Sequence, residues 1–194
     1  MSSILIIDDH PLVGEACRLL LGAAGIEGIF VAHNAVSGYQ AFLEHKPDVI
    51  VVDLTLHAEK LGGIGLIKRM HSKDQDAKIL VLSMHADPGI FVSAIEAGAT
   101  GYLIKDAPTE ELAKAVHQLR AGNRYIDAQF ALKLAFLSNA LSPRERRVLE
   151  LLMEGTPYAS IADQLGISRK AAMNLTVRVR RRLGERNFDP QEPT

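Results

Sequence analysis

The sequence predicts an α/β chain: a doubly wound, five-stranded parallel sheet followed by a small all-α domain. Three observations carry this. Short aliphatic runs alternate with amphipathic stretches through the first 120 residues. Runs such as "VIVV" and "ILVL" show no polar alternation, which is the pattern of strands buried on both faces. Beyond residue 140 the strand patterns vanish, and three helical patterns follow, separated by glycine turns.

In chain order the expected strands are Ile4–Ile7, Ile29–Ala32, Val49–Val52, Ile79–Leu82 and Gly101–Ile104. Helical periodicity lies between and after them, in Leu12–Ala24, Ala35–His45, Ile64–His71, Pro88–Ala97 and Thr109–Arg120. The punctuation agrees: Asp87-Pro88 opens a helix, while Gly98 and Gly122 follow helix ends. Five β–α units imply a doubly wound sheet with its functional groups at the C-terminal ends of the strands.

A connector over residues 123–140 holds a short helix from about Ala128 to Leu137. Ser142-Pro143-Arg144-Glu145 then forms a capping box with proline at the first helical position. It starts a helix that runs through Met153 and is closed by Gly155. A second helix covers Tyr158 to Leu165 before Gly166, and Ser168 caps a third that runs to about Leu183. Two short helices around a tight glycine turn read as a helix-turn-helix, with Val148, Leu149, Leu152, Ile161, Ala162, Leu165, Ile167, Val179 and Leu183 as its core.

Charge divides the chain in the same place. Residues 1–139 hold 12 Lys/Arg against 16 Asp/Glu, whereas residues 140–194 hold 10 against 7. Four of the later arginines lie between Arg178 and Arg182, so the second module is suited to a polyanion, or else presents a solvated face. The single Cys17 excludes an internal disulfide and points to a reducing compartment. The first apolar run has no basic segment before it and breaks at Asp8, so no signal peptide is expected. No stretch approaches the length of a membrane span, and the reading is a cytoplasmic protein.

The first strand, "ILII", delivers two adjacent carboxylates, Asp8 and Asp9, to one point. Like charges repel, and unpaired burial is costly, so a cation is expected there. Asp53, Ser83 and Lys105 stand at the ends of strands three, four and five. In a parallel sheet these ends share one edge, where all five groups can converge. Each alone reads equally well as a turn, cap or surface residue; the convergence is what points to chemistry. Three carboxylates in one cleft suit a hard cation such as Mg²⁺, typically completed by phosphate oxygens. Lys105 and Ser83 would then offer a point charge and a hydroxyl to a phosphoryl group.

At these residues the sequence resembles a known family. "IIDDHPLV", "VVDLTL", "VLSMHADP" and "GYLIKDAPTEEL" look like the flavodoxin-like receiver domain of bacterial two-component response regulators. The stretch from Leu141 to Gly184 resembles a LuxR-type helix-turn-helix, and together they resemble the NarL/FixJ class over roughly residues 4–186. The resemblance implies a receiver at 1–122, a connector at 123–140, an output domain at 141–186 and a tail at 187–194. It makes Asp53 the phosphoacceptor, charged from a phosphohistidine on a sensor histidine kinase. Asp9 would bind Mg²⁺ directly and Asp8 through water, with Asp53 and the Thr55 carbonyl as further ligands. Lys105 and Ser83 would hold phosphoryl oxygens, and Tyr102 would be the aromatic switch that moves inward with Ser83. It further implies DNA as a partner and a phosphorylation-linked homodimer, with no membrane partner.

Three departures from the family pattern qualify that expectation. His57 stands where proline is usual, and "HAEKLGG" is about two residues longer than the family loop. That extension is either a tolerated surface insertion or a change in phosphoryl lifetime or kinase choice. In the recognition helix, Met173 replaces a lysine and Leu175 a histidine, leaving Arg169, Lys170, Arg178, Arg181 and Arg182 for phosphates. Asn174 can read an adenine edge, Ala172 or Met173 can touch a thymine methyl, and Val177 lies on the same face. Finally, "ERNFDPQEPT" does not read as the usual fourth helix. The expected function is therefore a phosphorylation-controlled transcription regulator, and not an enzyme beyond its own phosphorylation and dephosphorylation. The alternative is a protein-interaction switch whose altered helix-turn-helix does not bind DNA autonomously.

Overall fold

The structure, a computed structural model, describes residues 3–56 and 62–184. Its sheet has strand order β2-β1-β3-β4-β5-β6, with every neighbouring pair parallel. The strands are β1 (Ser3–Ile7), β2 (Gly28–Ala32), β3 (Val49–Asp53), β4 (Ile79–Ser83), β5 (Gly101–Ile104) and β6 (Tyr125–Ile126). The first five match expectation to within a residue or two. The sixth adds to it: the Tyr125 N–H donates to Thr100 and the Asp127 N–H to Tyr102, so the start of the connector zips onto the free edge of β5. A two-residue strand has too short a pattern to be read from sequence.

The helices among the described residues are α1 (Pro11–Ala23), α2 (Ala35–His45), α3 (Gly62–Lys73), α4 (Pro88–Ala97), α5 (Thr109–Arg120), α6 (Ala128–Ser138), α7 (Pro143–Met153), α8 (Tyr158–Leu165) and α9 (Arg169–Gly184). Glycine turns close several of them, with φ of +114° at Gly98, +84° at Gly122 and +61° at Gly166. The lengthened loop at His57 and the tail beyond Gly184 lie outside the described residues.

Packing divides the described residues into two compact units, 3–56 and 62–84 with 97–127, and 85–96 with 128–184. In the first, the pleat sorts the side chains. Ile4, Ile6, Val49, Val51, Leu80, Leu82 and Leu103 meet Cys17 and Leu21 of α1 and Leu112, Val116 and Leu119 of α5. Leu5, Ile7, Ile50 and Val52 alternate with these residues and are buried on the other side. There Gly38 of α2 lies so close to Ile7 that an added Cβ would come within 2.7 Å of its side chain. Burial pushes the Cys17 thiol up to about 11, aided by the charge of Asp8, so it is an inert core residue.

The second unit gathers α4 and α6 to α9. Asp87 caps α4, its Oδ1 accepting from the Gly89 and Ile90 N–H groups at 2.7 and 3.0 Å. Glu96 accepts a hydrogen bond from the Tyr158 hydroxyl and pairs with Arg180 at 3.3 Å. Burial and the facing Glu96 carboxylate push the Tyr158 phenol upward, so it stays a donor at any physiological pH. Val148, Leu149, Leu151, Leu152, Ile161, Ala162, Ala172, Thr176, Val179 and Leu183 are buried. The Ser142–Glu145 capping box is present, and Glu145 is itself buried and paired with Arg182 at 2.8 Å.

Burial disfavours the Glu145 charge, but the Ser142 donors and the Arg182 and Arg178 charges prevail and hold its carboxyl below the usual glutamate range. A depressed native pKa stabilises the fold above the ordinary glutamate value, and that stability is lost as pH falls through the depressed one. Glu145→Gln is therefore expected to cost about 1–2 kcal/mol near neutrality. The deficit should shrink between neutral pH and acid pH below that depressed pKa, where Glu145 takes up a proton and both chains are uncharged at this position. Urea melts at the two pH values measure this; an equal deficit at both would assign the loss to packing instead of charge.

Candidate functional site

Three charged residues meet at the C-terminal edge of the sheet because they share one parity of the pleat. Asp8 follows Ile4 and Ile6, Asp53 follows Val49 and Val51, and Lys105 follows Leu103, so all three extend the α1/α5 face of the sheet. The Lys105 Nζ donates to Asp8 Oδ2 and to Asp53 Oδ2, each at 2.8 Å. Both carboxylates have side chains only 3% exposed, and Lys105 is 12% exposed. Burial works against the ammonium charge, but the two carboxylates outweigh it and raise the Lys105 pKa above that of an ordinary lysine. The amine is thus charged throughout the physiological range.

The remaining oxygens are held by local backbone. Asp8 Oδ1 accepts from the His10 N–H at 2.9 Å, and Asp53 Oδ1 from the Thr55 N–H at 3.1 Å. The His10 Nδ1 lies 2.8 Å from Asp9 Oδ1. Donor atoms of Asp8, Asp9, His10 and Asp53 all fall within 4.8 Å of one another. The three carboxylates fit a hard divalent cation: they are oxygen donors in close reach, and their negative charge exceeds what Lys105 balances. The structure places the Thr55 N–H on Asp53.

Ser83 and Tyr102 have the opposite parity. Tyr102 stands in register with Val81, two residues before Ser83, and both side chains are fully buried. Ser83 is also tied to the site by backbone, since the Lys105 N–H donates to its carbonyl at 2.9 Å. Gly63, singled out in sequence only as the end of a lengthened loop, proves to be part of the site. Its N–H donates to the Leu54 carbonyl at 3.0 Å, and a Cβ there would lie 2.3 Å from the Asp53 carbonyl oxygen.

On α9 the eight residues expected to face DNA, Arg169, Lys170, Met173, Asn174, Val177, Arg178, Arg181 and Arg182, are all exposed. Their spacing puts them on one stripe. Ala172 does not join them: it is fully buried, because it sits on the inward stripe with Thr176 and Val179, so it cannot touch a thymine methyl. Arg178, Arg182 and Asn174 line a groove of about 420 Å³ together with Ser142, Arg144 and Glu145. Arg144 and Glu145, which the sequence marks only as parts of a capping box, thus also border this groove.

A family profile described as the response regulator receiver domain matches residues 4–117, and one described as sigma-70 region 4 matches residues 132–183. The methanol utilization control regulatory protein MoxX of Paracoccus denitrificans is 34% identical over 193 residues, spanning 95% of this chain and 86% of MoxX. The nitrate/nitrite response regulator NarL of Escherichia coli K12 is 31% identical, over 86% of this chain and 82% of NarL. The chain belongs to the NarL/FixJ-class response regulators. This regulator is also similar in structure to RcsB of Salmonella enterica serovar Typhimurium bound to a promoter in the presence of phosphomimetic beryllofluoride. That likeness has 27% identity, a TM-score of 0.63, and coverage of 94% of this chain and 92% of that one. Among the described residues of the regulator, no helix is long and apolar enough to cross a membrane.

Removing the cation between two buried carboxylates leaves them mutually repelling. Lys105→Met is therefore expected to destabilise the regulator by about 2–3 kcal/mol at neutral pH. Millimolar Mg²⁺ should restore more stability to this variant than to the parent. Thermal melts with and without Mg²⁺ decide it: a variant indifferent to Mg²⁺ would mean that the three carboxylates hold no ion.

Proposed function

We propose that Asp53 accepts a phosphoryl group from a phosphohistidine on a sensor histidine kinase, and that the exposed basic stripe of α9 binds DNA to control transcription. The observation that carries this is the Lys105 ammonium bridging Asp53 and Asp8 at the strand ends. In the transfer an Asp53 carboxylate oxygen attacks phosphorus, the P–N bond to the kinase imidazole breaks, and the leaving nitrogen takes a proton from solvent. Phosphorylated Asp53 is an acyl phosphate and has lost its carboxylate charge, so Lys105 turns to a phosphoryl oxygen while Ser83 donates to another. Asp8, Asp9, Asp53 and the Thr55 carbonyl would hold Mg²⁺, which supplies positive charge to the phosphoryl oxygens when bound. Catalysis is then positioning and charge neutralisation, exercised on the chain's own aspartate and not on a separate substrate, so the protein is not an enzyme in the usual sense.

Within this reading, residues 1–122 are the receiver, 123–140 the connector, 141–186 the output domain and 187–194 a tail. The regulator is cytoplasmic and pairs on phosphorylation. Tyr102 is the switch, and its ring is buried in the structure as it stands. On α9, phosphate contacts fall to Arg169, Lys170, Arg178 and Arg181. Arg182 is shared with the Glu145 carboxylate, which lowers what it can give a phosphate. Asn174 is the residue of the stripe suited to a base edge.

One observation favours a second reading. Met173 and Val177 are each 47% exposed and make the middle of the stripe apolar. Such a face also suits a protein partner, and the chain would then be a phosphorylation-dependent interaction switch that does not bind DNA by itself.

Two measurements test the reading. Asp53→Asn should abolish labelling by a small phosphodonor in Mg²⁺; labelling that persists would place the acceptor elsewhere. Fluorescence anisotropy against a duplex pool should show binding that tightens with beryllofluoride and selects sequence under competitor DNA. In that assay Asn174→Ala should reduce discrimination by about tenfold, and Arg178→Ala should lower the salt slope by about one. Weak binding indifferent to beryllofluoride would favour the interaction switch.

A further inference from the structure

Helix α6 is apolar on two faces, although an amphipathic helix needs only one. Phe130 and Leu134 are buried, with the Phe130 ring edge-on to Phe91 at 5.4 Å. The opposite face leaves Leu132 and Phe136 exposed by 72% and 77%. A helix that is hydrophobic all round is normally covered all round. The sole charge of α6 is Lys133, and its Nζ is engaged by the Ala86 carbonyl at 2.7 Å.

The outer face has a specific order. Gln129, Leu132 and Phe136 of the helix and Asn139, the exposed residue directly after its end, follow one another at spacings of three, four and three residues. This pattern is the same read from either end, with its midpoint at Leu134. A two-fold axis through that midpoint, laying two copies of α6 antiparallel, sets Leu132 of one copy against Phe136 of the other. It sets Gln129 against Asn139, two side-chain amides able to donate and accept reciprocally. Lys133 falls opposite Ala135, which offers neither bulk nor like charge. An interface across a two-fold must be complementary to itself, and this face is.

We propose that the outer face of α6 is an isologous contact that takes a second copy of this chain, antiparallel and centred on Leu134. The assignment deepens the reading of the protein as a regulator that pairs, and rests on it. The area supports one further point. Two exposed Leu and Phe side chains per copy bury about 500–600 Å² in all, well below the 1,200–2,000 Å² of a standing interface. The contact therefore does not hold a dimer alone. It forms when another attachment raises the local concentration of copies, as two output domains on adjacent sites would.

Cysteine pairs in the full-length chain test the register. Successive helical residues rise 1.5 Å, so position 129 and position 139, one residue past the end of α6, lie about 15 Å apart along the helix axis. A Gln129→Cys, Asn139→Cys double variant brings each new thiol to its opposite number in the partner. Either single variant leaves its two thiols about 15 Å apart, beyond disulfide reach. All these positions are exposed, and Cys17 is buried, so the background is low. With beryllofluoride and a promoter-sized duplex, the double variant should give roughly tenfold more covalent dimer than either single variant. Adding Phe136→Glu should abolish that excess without changing the circular dichroism melt. Equal cross-linking of single and double variants, or none in the double variant up to millimolar protein, overturns the proposal. Absent cross-linking beside normal, beryllofluoride-sensitive DNA binding removes the α6 contact alone. Cross-linking at high concentration in a chain that does not bind DNA keeps the contact and removes the DNA reading.

Discussion

The structure of the first unit turns on one ammonium group held between two buried carboxylates. Asp8 and Asp53 end adjacent strands on the same side of the sheet, and without Lys105 their charges would oppose the pairing of β1 with β3. The aliphatic strands fix where the three groups meet; the lysine makes their meeting tolerable. This arrangement is costly to bury and is not the most stabilising use of a strand end. Its persistence at the edge where ligands of doubly wound sheets bind is the signature of a site whose charge is meant to be redistributed.

Much of this was legible in the sequence, and the reasons are physical. Strands such as Val49–Asp53, buried on both faces, write themselves as unbroken aliphatic runs, and Gly98, Gly122 and Gly166 mark helix ends because they adopt positive φ. The convergence of Asp8, Asp53 and Lys105 followed from parallel topology alone. The sequence could not show that Lys105 reaches both aspartates at once. A metal and a lysine satisfy the same electrostatic demand, and only the coordinates put the Lys105 Nζ on both carboxylates. Nor could it show that Gly63 abuts the Asp53 carbonyl, because a glycine after a loop is equally read as a turn.

In the output unit the misreadings were of orientation. Ala172 is small enough to suit a base contact or a helix contact, and the packing of α9 through Thr176 and Val179 decides for the latter. Glu145 looked like an ordinary capping residue, whereas it is also the buried counter-charge of Arg182. β6 escaped notice because two residues carry no periodicity; its existence depends on the open edge of β5. The twofold order on the outer face of α6 was present in the sequence. It acquires meaning only when Phe130 and Leu134 are seen to satisfy the core without it.

The hydrogen bond from the Gly63 N–H to the Leu54 carbonyl joins the chain just after β3 to the first turn of α3. The end of β3 and the start of α3 are clamped together by this bond. Asp53 is thereby held from both sides, by the strand that carries it and by the start of the helix that follows.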